Sequence, residues 1–357
     1  MKVVKHDGKI LHPLGGASYV YEQDLIGYIA NRLTRENIKI SIGAQPNGSP
    51  HFGTLIVFSL AFALAELLNK QNSKTTSITF EVIDTSPAKE LVIDGLKYQI
   101  SLRDSGQADV FLAQYEQLLS ILKDLTGVAF TLRRQNDFNS QPTVPVILKR
   151  VIDNEVLLAP ILNPNKKKLK IRVPCPNCGL TDKEATKNIL FKNHLESYCP
   201  KHGKFKTYYK NSDRFEYNTP LRNLIRALVY ATDNENPKKD YYWLRVTGAD
   251  YAGFYQEELL YRTTSLMGYS IDKLPIILYA PLIVDWSGAK LSKSLYVKHG
   301  AYKYLPDYLV SYERFYKRFG EKGIAKLYSE VKSWLENPYK LFRAYSVYYF
   351  MGVFGYE

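Results

Sequence analysis

The sequence predicts an α/β protein: a Rossmann-like parallel sheet, interrupted by a small cysteine-bearing module and followed by a short helical region. Three observations carry this. Asn37–Gly43 alternates polar and apolar residues as a strand, then passes through a Pro- and Gly-containing loop into a long apolar helix opened by His51. Strand-like runs recur at 78–83, 128–133, 241–246 and 275–279 with helical stretches between them, the alternation that gives a parallel sheet. Between 128–133 and 241–246 lies a polar stretch that holds every cysteine of the chain, Cys175, Cys178 and Cys199.

In chain order, Tyr19 to Thr34 has helical spacing, with Ile26, Ile29 and Leu33 on one face. The first strand follows, and then the most apolar run, Leu55 to Leu68, reads as a helix buried on most sides beneath the sheet. Interrupted by Ser59 and Glu66, it is too short to cross a bilayer. The second strand, Ile78–Ile83, ends on Asp84, at the end of the sheet where such folds bind ligands. Gln107–Leu125 reads as a helix, Val128–Arg133 as a strand and Pro142–Leu162 as mixed helical. After Lys166-Lys167-Lys168 the chain turns polar and loses periodicity, as an inserted module would. The sheet resumes at Tyr241–Val246, followed by Thr247-Gly248-Ala249-Asp250, and Pro275–Tyr279 leads through Ile283-Val284-Asp285 into a lysine- and serine-rich loop. Tyr302 to Glu357 reads as helical. The divisions this implies are 1–163 and 217–300 for the two halves of the sheet domain, 164–216 for the insertion and 301–357 for the last helices.

A chain of 357 residues buries a sizeable core. The net charge of +13 suggests a polyanionic partner, with RNA the natural choice, against the bland alternative of a generally basic surface. The 29 tyrosines include platforms for stacked bases, although most read as half-buried packing. Met1–Asp7 lacks the apolar core of a secretory signal, so the expectation is a cytoplasmic protein with no membrane partner.

Cys175-Pro-Asn-Cys178-Gly179 and Cys199-Pro-Lys-His202-Gly203 form two matched knuckles, C-x-x-C and C-x-x-H, twenty residues apart. Three thiolates and an imidazole suit a tetrahedral Zn2+, and Gly179 and Gly203 supply the positive φ that such turns want. Four protein ligands leave no open position, so the expected role is structural. The alternatives are a disulfide, which the cytoplasm disfavours, and unliganded thiols. His194 lies inside the module but outside the pattern.

Two further segments carry a resemblance. Pro46-Asn-Gly48-Ser-Pro-His51-Phe-Gly53-Thr54 and Lys290-Leu291-Ser292-Lys293-Ser294 resemble the HIGH and KMSKS signatures of class I aminoacyl-tRNA synthetases, in the right order. With the knuckles, the Gly248-Ala249-Asp250 element and the segment Tyr217–Arg222 between them, roughly residues 20 to 300 resemble the catalytic region of class I lysyl-tRNA synthetases, a HUP-type fold. About sixty residues follow the second signature, too few for that family's anticodon-binding domain.

The resemblance implies ATP with Mg2+, an amino acid substrate, and specific roles. Lys290 and Lys293 stand where cations meet the departing pyrophosphate, whose charge grows in the transition state, with Ser292 and Ser294 as hydroxyl donors. His51 would bring an imidazole and free helix N–H groups to the nucleotide. Gly53 leaves a flat surface for adenine, Gly48 shapes the loop and Thr54 stands where the signature ends in histidine. Asp250, behind Gly248, matches the acid that accepts the ribose hydroxyls, against a helix N-cap as its plain alternative. Gly43, Gln45, Asp84, Tyr217 and Tyr251 would surround the amino acid. Here the chain departs from the family, since Tyr251 replaces a histidine. The expected activity is formation of an aminoacyl-adenylate and transfer to an acceptor, either the acceptor end of a tRNA or another RNA, or a small molecule in a tRNA-independent ligase. A nucleotidyltransferase and a non-catalytic binding paralogue are the other readings. The sequence leaves the oligomeric state open.

Overall fold

The computed structural model describes residues 24–291 and 305–355. The first half of the chain forms α1 (Leu25–Arg32), β1 (Asn37–Ala44), α2 (Phe52–Asn72), β2 (Thr75–Val82), β3 (Pro87–Ile93), β4 (Leu96–Ser101), α3 (Ala108–Thr126) and β5 (Phe130–Arg134), then three short helices, α4 (Gln135–Asn139), α5 (Thr143–Asp153) and α6 (Glu155–Leu162). The middle segment contains β6 (Ile171–Arg172), β7 (Leu180–Asp182), β8 (Ile189–Leu190), β9 (His194–Cys199), β10 (Gly203–Tyr208) and β11 (Glu216–Tyr217). Next come α7 (Thr219–Glu235), β12 (Tyr241–Gly248), a π-helical turn Tyr255–Arg262 running into α8 (Thr263–Leu266), β13 (Ile276–Ala280) and β14 (Ile283–Val284). The described chain ends with α9 (Tyr312–Glu336), α10 (Pro338–Leu341), β15 (Tyr345–Ser346) and α11 (Val347–Phe354).

The central sheet has five parallel strands in the order β13-β12-β1-β2-β5. Numbered by their succession in the sheet, that is 5-4-1-2-3, the doubly wound order, with the chain reversing direction of travel between β1 and β12. The inner strands β1 and β2 alternate, burying Ile38, Ile40, Ile42 and Ile78, Phe80, Val82 in the main core, while polar Ser41, Thr79 and Glu81 between them are buried as well. The crevice outside the carboxyl ends of β1 and β12 is where such a sheet receives a ligand.

Helix α2 is apolar around its whole circumference, the signature of a helix with neighbours on every side. At 21 residues it is longer than the run Leu55–Leu68, and by length and composition it is long enough to cross a membrane. Its apolar window is 83% buried inside the molecule, however, which is the position of a core helix. Its one buried acid, Glu66, accepts hydrogen bonds from Lys332 and Lys70 at 2.7 Å each and from the Tyr328 hydroxyl at 2.5 Å. Burial raises its pKa, but these three donors outweigh burial and hold it down at about 2.

Lys332 and Tyr328 belong to α9, so the C-terminal segment is part of the main core. Tyr312, Phe315, Leu327, Val331 and Trp334 share one apolar cluster with α2 and the sheet. The helical reading of 302–357 needs one correction: Tyr345–Ser346 is extended and pairs in parallel with β14. Two residues of strand with no alternation of their own leave no periodic signal, because distant Ile283 and Val284 create the pairing.

A second difference concerns residues 87–101, which form a hairpin. Asp94 and Gly95 both have positive φ, 48° and 72°, the turn that an Asp-Gly pair favours. Strand β4 then pairs with β7 of the cysteine-bearing module, Tyr98 opposite Asp182 and Ile100 opposite Leu180. Leu169, Ile171, Leu195, Tyr209 and Phe215 of that module are buried in a cluster shared with α5, α6 and α7. Despite its polar composition the module therefore shares a core with the rest of the chain, and it also buries Arg172, Asp182 and Glu216.

Candidate functional site

The loop from Gln45 to Pro50 is fixed from two sides. The Tyr115 hydroxyl of α3 lies 3.3 Å from the Gln45 carbonyl and 3.4 Å from that of Gly48, and Gly48 is buried beneath it. From the other side the Tyr312 N–H of α9 donates to the Pro50 carbonyl at 2.7 Å, and the Glu313 N–H reaches Ser49 Oγ at 3.3 Å. His51 is the N-cap of α2 with extended backbone, and its carbonyl accepts from the Thr54 N–H at 2.8 Å. A Cβ on Gly53 would stand 3.0 Å from His51 Cε1, so the glycine gives the imidazole room to lie across the first helical turn. Phe52, wholly buried, anchors this turn edge-on against Phe350, 4.8 Å between centroids. Thr54 is buried behind it, whereas Gly43 and Gln45 are exposed at the mouth of the crevice.

Across the crevice, β12 ends at Gly248 and a single 3-10 turn, Ala249–Tyr251, presents Asp250. The Lys290 ammonium meets the Asp250 carboxylate at 2.5 Å, both side chains remaining part-exposed. What brings Lys290 there is a tight reversal. Asp285 Oδ1 accepts the Ser287 and Ala289 N–H groups at 2.8 and 3.1 Å, Gly288 adopts φ 81°, and Lys290 bridges back to Val284. Leu291 packs on the main core and ties the loop down. Of the sequence-predicted residues, Asp250 and Lys290 are thus in contact, while His51 and Gly53 follow β1 at the same end of the sheet at which Gly248 closes the adjacent β12. Ser292, Lys293 and Ser294 lie outside the described residues.

The amino acid residues expected from sequence are placed less openly. Asp84 at the end of β2 is fully buried, neither carboxylate oxygen has a hydrogen-bond partner, and Arg134 stands 4.0 Å away. Burial raises its pKa against the pull of Arg103 and Arg134. Tyr217 is 2% exposed, its hydroxyl is unpartnered, and burial raises its pKa. Tyr251 is half-buried, edge-on to Tyr255 with 4.8 Å between centroids.

Around these lies a bed of buried charge that sequence reasoning missed. Glu81 accepts from Arg133 Nε at 3.1 Å, from Tyr230 Oη at 2.5 Å, and lies 3.6 Å from Arg226. Its burial favours the neutral form, yet Arg226 and Arg133 outweigh that and lower its pKa. Further along, Arg103 reaches Glu216 at 3.1 Å and Asp104 at 3.4 Å, with Arg172 opposite Glu216 across the β6–β11 pair. Among the described residues, eight buried side-chain atoms without a hydrogen-bond partner belong to Asp84, Arg103, Arg172, Tyr217, Arg222 and Arg226. Orphaned polar atoms are rare in a folded interior, so their gathering among these buried charges makes this a candidate site for a polar ligand. The signal in the sequence was Arg222-x-x-x-Arg226 inside a helix whose residues are otherwise almost all buried.

The knuckles meet as expected. One donor atom from each of Cys175, Cys178, Cys199 and His202 lies within 4.8 Å of every other. Cys178 and Cys199 sulfurs are 3.7 Å apart, and His202 Nδ1 stands 3.4 and 3.6 Å from Cys175 and Cys199. A tetrahedral zinc with ordinary bond lengths calls for about 3.8 Å between sulfurs and about 3.6 Å from sulfur to nitrogen. The cluster fits, with Nδ1 as the facing nitrogen. Gly179 and Gly203 have φ of 71° and 76°, and His194 stands apart, stacked 4.7 Å from Phe191.

No family model matches the sequence, and no curated protein does. Among solved structures the chain is similar to a candidate arginyl-tRNA synthetase from Campylobacter jejuni, at TM-score 0.39 and 8% identity over 88% of this chain and 67% of that one. It is also similar to a glutamate-tRNA synthetase from Elizabethkingia anophelis and a glutamate tRNA ligase from Elizabethkingia meningosepticum in complex with its amino acid. Both match at TM-score 0.34 and 14% identity over 74% of this chain. The chain spans about half the length of those two, 54% and 53%. Likenesses of this size are of broad outline and carry no weight for function, which rests on the chain's own residues.

Proposed function

We propose that this chain is an ATP-dependent ligase of the aminoacyl-tRNA synthetase kind, which activates an amino acid as its aminoacyl-adenylate and passes the aminoacyl group to an acceptor. One observation supports the reading: Lys290 is in contact with Asp250 just beyond β12, at the end of the sheet where His51 opens α2 after the adjacent β1. A carboxylate there suits ribose hydroxyls, a helix N-terminus suits phosphate, and a lysine on a hairpin suits charge developing on the leaving pyrophosphate. Bound Mg2+ would supply charge neutralisation on the triphosphate, and zinc held by the four knuckle residues would rigidify the module. A pure binding protein has no use for the lysine.

An RNA acceptor is favoured by the surface of the module. Phe191, Tyr198 and Tyr208 are exposed there amid lysines, and a cavity of about 730 Å³ between α5 and β10 is lined by Lys149, Arg150, Tyr208 and Lys210. Stacking faces among cations are what unpaired RNA uses. The test follows transfer of radiolabelled amino acid with total tRNA, with a small amine and with neither. The expected result is acid-precipitable label that needs tRNA and falls steeply as salt rises. Transfer to the amine with no RNA present would assign the protein to tRNA-independent ligation, and consumption of ATP with no amino acid would remove the synthetase reading.

A further inference from the structure

The buried bed above the sheet is one anion short. Among its charged side chains less than a fifth exposed, five guanidinium groups face four carboxylates. Arg133 and Arg226 share Glu81, Arg103 has Glu216 and Asp104, and Arg172 donates to the carbonyls of Lys183 and Tyr217 beside Glu216. Arg222 has no carboxylate among the described residues. It is 6% exposed, its Nη2 donates to Thr219 Oγ1 at 3.3 Å, and its Nε has no partner. Burial, with the charge of Arg226 one turn away, pushes its pKa down to about 10, so it stays cationic at neutral pH. An uncompensated buried charge is costly, and a fold keeps such an arrangement where a ligand relieves it.

Its position says which ligand. The next residue, Asn223, donates to the Tyr255 hydroxyl, and Tyr255 packs edge-on to Tyr251, the neighbour of Asp250. Arg222, which feels both Tyr251 and Tyr255, thus borders the crevice from the α7 side. A planar guanidinium walled by tyrosines matches a carboxylate bidentately. The α-carboxylate of the substrate has to stay free to attack ATP, so the carboxylate for Arg222 is a second one. We propose that Arg222 receives a carboxylate on the side chain of the substrate, which makes the activated compound a dicarboxylic amino acid. The inference rests on the crevice being an amino-acid-activating site. A lysine side chain would instead bring its ammonium towards two guanidinium groups.

Titration calorimetry of the full, zinc-loaded chain with aspartate, glutamate, their amides and lysine tests this, alongside ATP–pyrophosphate exchange with the same compounds. One acidic amino acid should bind about a hundredfold more tightly than its amide or lysine, because the amide leaves the guanidinium unpaired. Arg222→Met should abolish that preference, leave ATP affinity unchanged and melt at a higher temperature than the parent, since it removes a charge with no counter-ion. Arg222→Lys should recover part of the preference. Preference for a neutral or basic amino acid, no binding of either acid, or an Arg222→Met variant that weakens ATP instead would overturn the inference. Binding of the acid without exchange would uphold it and defeat the activation reading. Exchange driven by lysine would do the reverse.

Discussion

Lys290→Ala lowers amino-acid-dependent pyrophosphate exchange on the order of a hundredfold while the KM for ATP moves little. The split follows from the contact with Asp250. The ammonium pairs with the carboxylate that ribose hydroxyls would use, so its removal takes no partner from the bound nucleotide in the ground state. Charge on the departing pyrophosphate, by contrast, appears only in the transition state, and the loss falls on kcat. Lys293→Ala should behave in the same way from the signature resemblance alone. Steady-state exchange at varied ATP separates the two parameters, and an unchanged kcat would remove the hairpin lysine from the chemistry.

Cys178→Ser should release the metal and unfold the module. Serine offers no thiolate, and structural zinc supplies on the order of 10 kcal/mol of apparent binding energy to small domains. The damage reaches further than an isolated knuckle. Cys175 and Cys199 pack with Tyr98 and Leu180 against the β3–β4 hairpin, and β11 of the same module carries Glu216 and Tyr217 into the charged bed. Metal content should fall from about one zinc per chain to near zero, with a melting transition on the order of 10 °C lower. Full zinc content or an unaltered melting curve in the variant would contradict the assignment.

The sheet was legible in the sequence because its strands are either alternating or continuously apolar, and the Asn37–His51 unit announces itself by a strand, a Pro-Gly loop and an apolar helix in succession. The β3–β4 hairpin was missed although Asp94-Gly95 is a hairpin turn, because its flanks mix exposed Lys89 and Glu90 with half-buried Leu91 and show no clean two-residue period. The pairing of β14 with β15 could not be read, since neither two-residue segment has a pattern and the match is made by the C-terminal helices folding onto α2. The charged bed was invisible for another reason. Arg222, Arg226, Glu81 and Glu216 belong to residue types normally found at surfaces, and only the fold shows that all four are buried together.

Photo-crosslinking with 8-azido-ATP, followed by peptide mapping, tests the central claim most directly, that the nucleotide binds at the switch point between β1 and β12. The account predicts label within 45–54 and 248–291, competed by ATP and lost in Asp250→Ala. Label confined to the cavity lined by Lys149, Tyr208 and Lys210, undiminished in that variant, would contradict it.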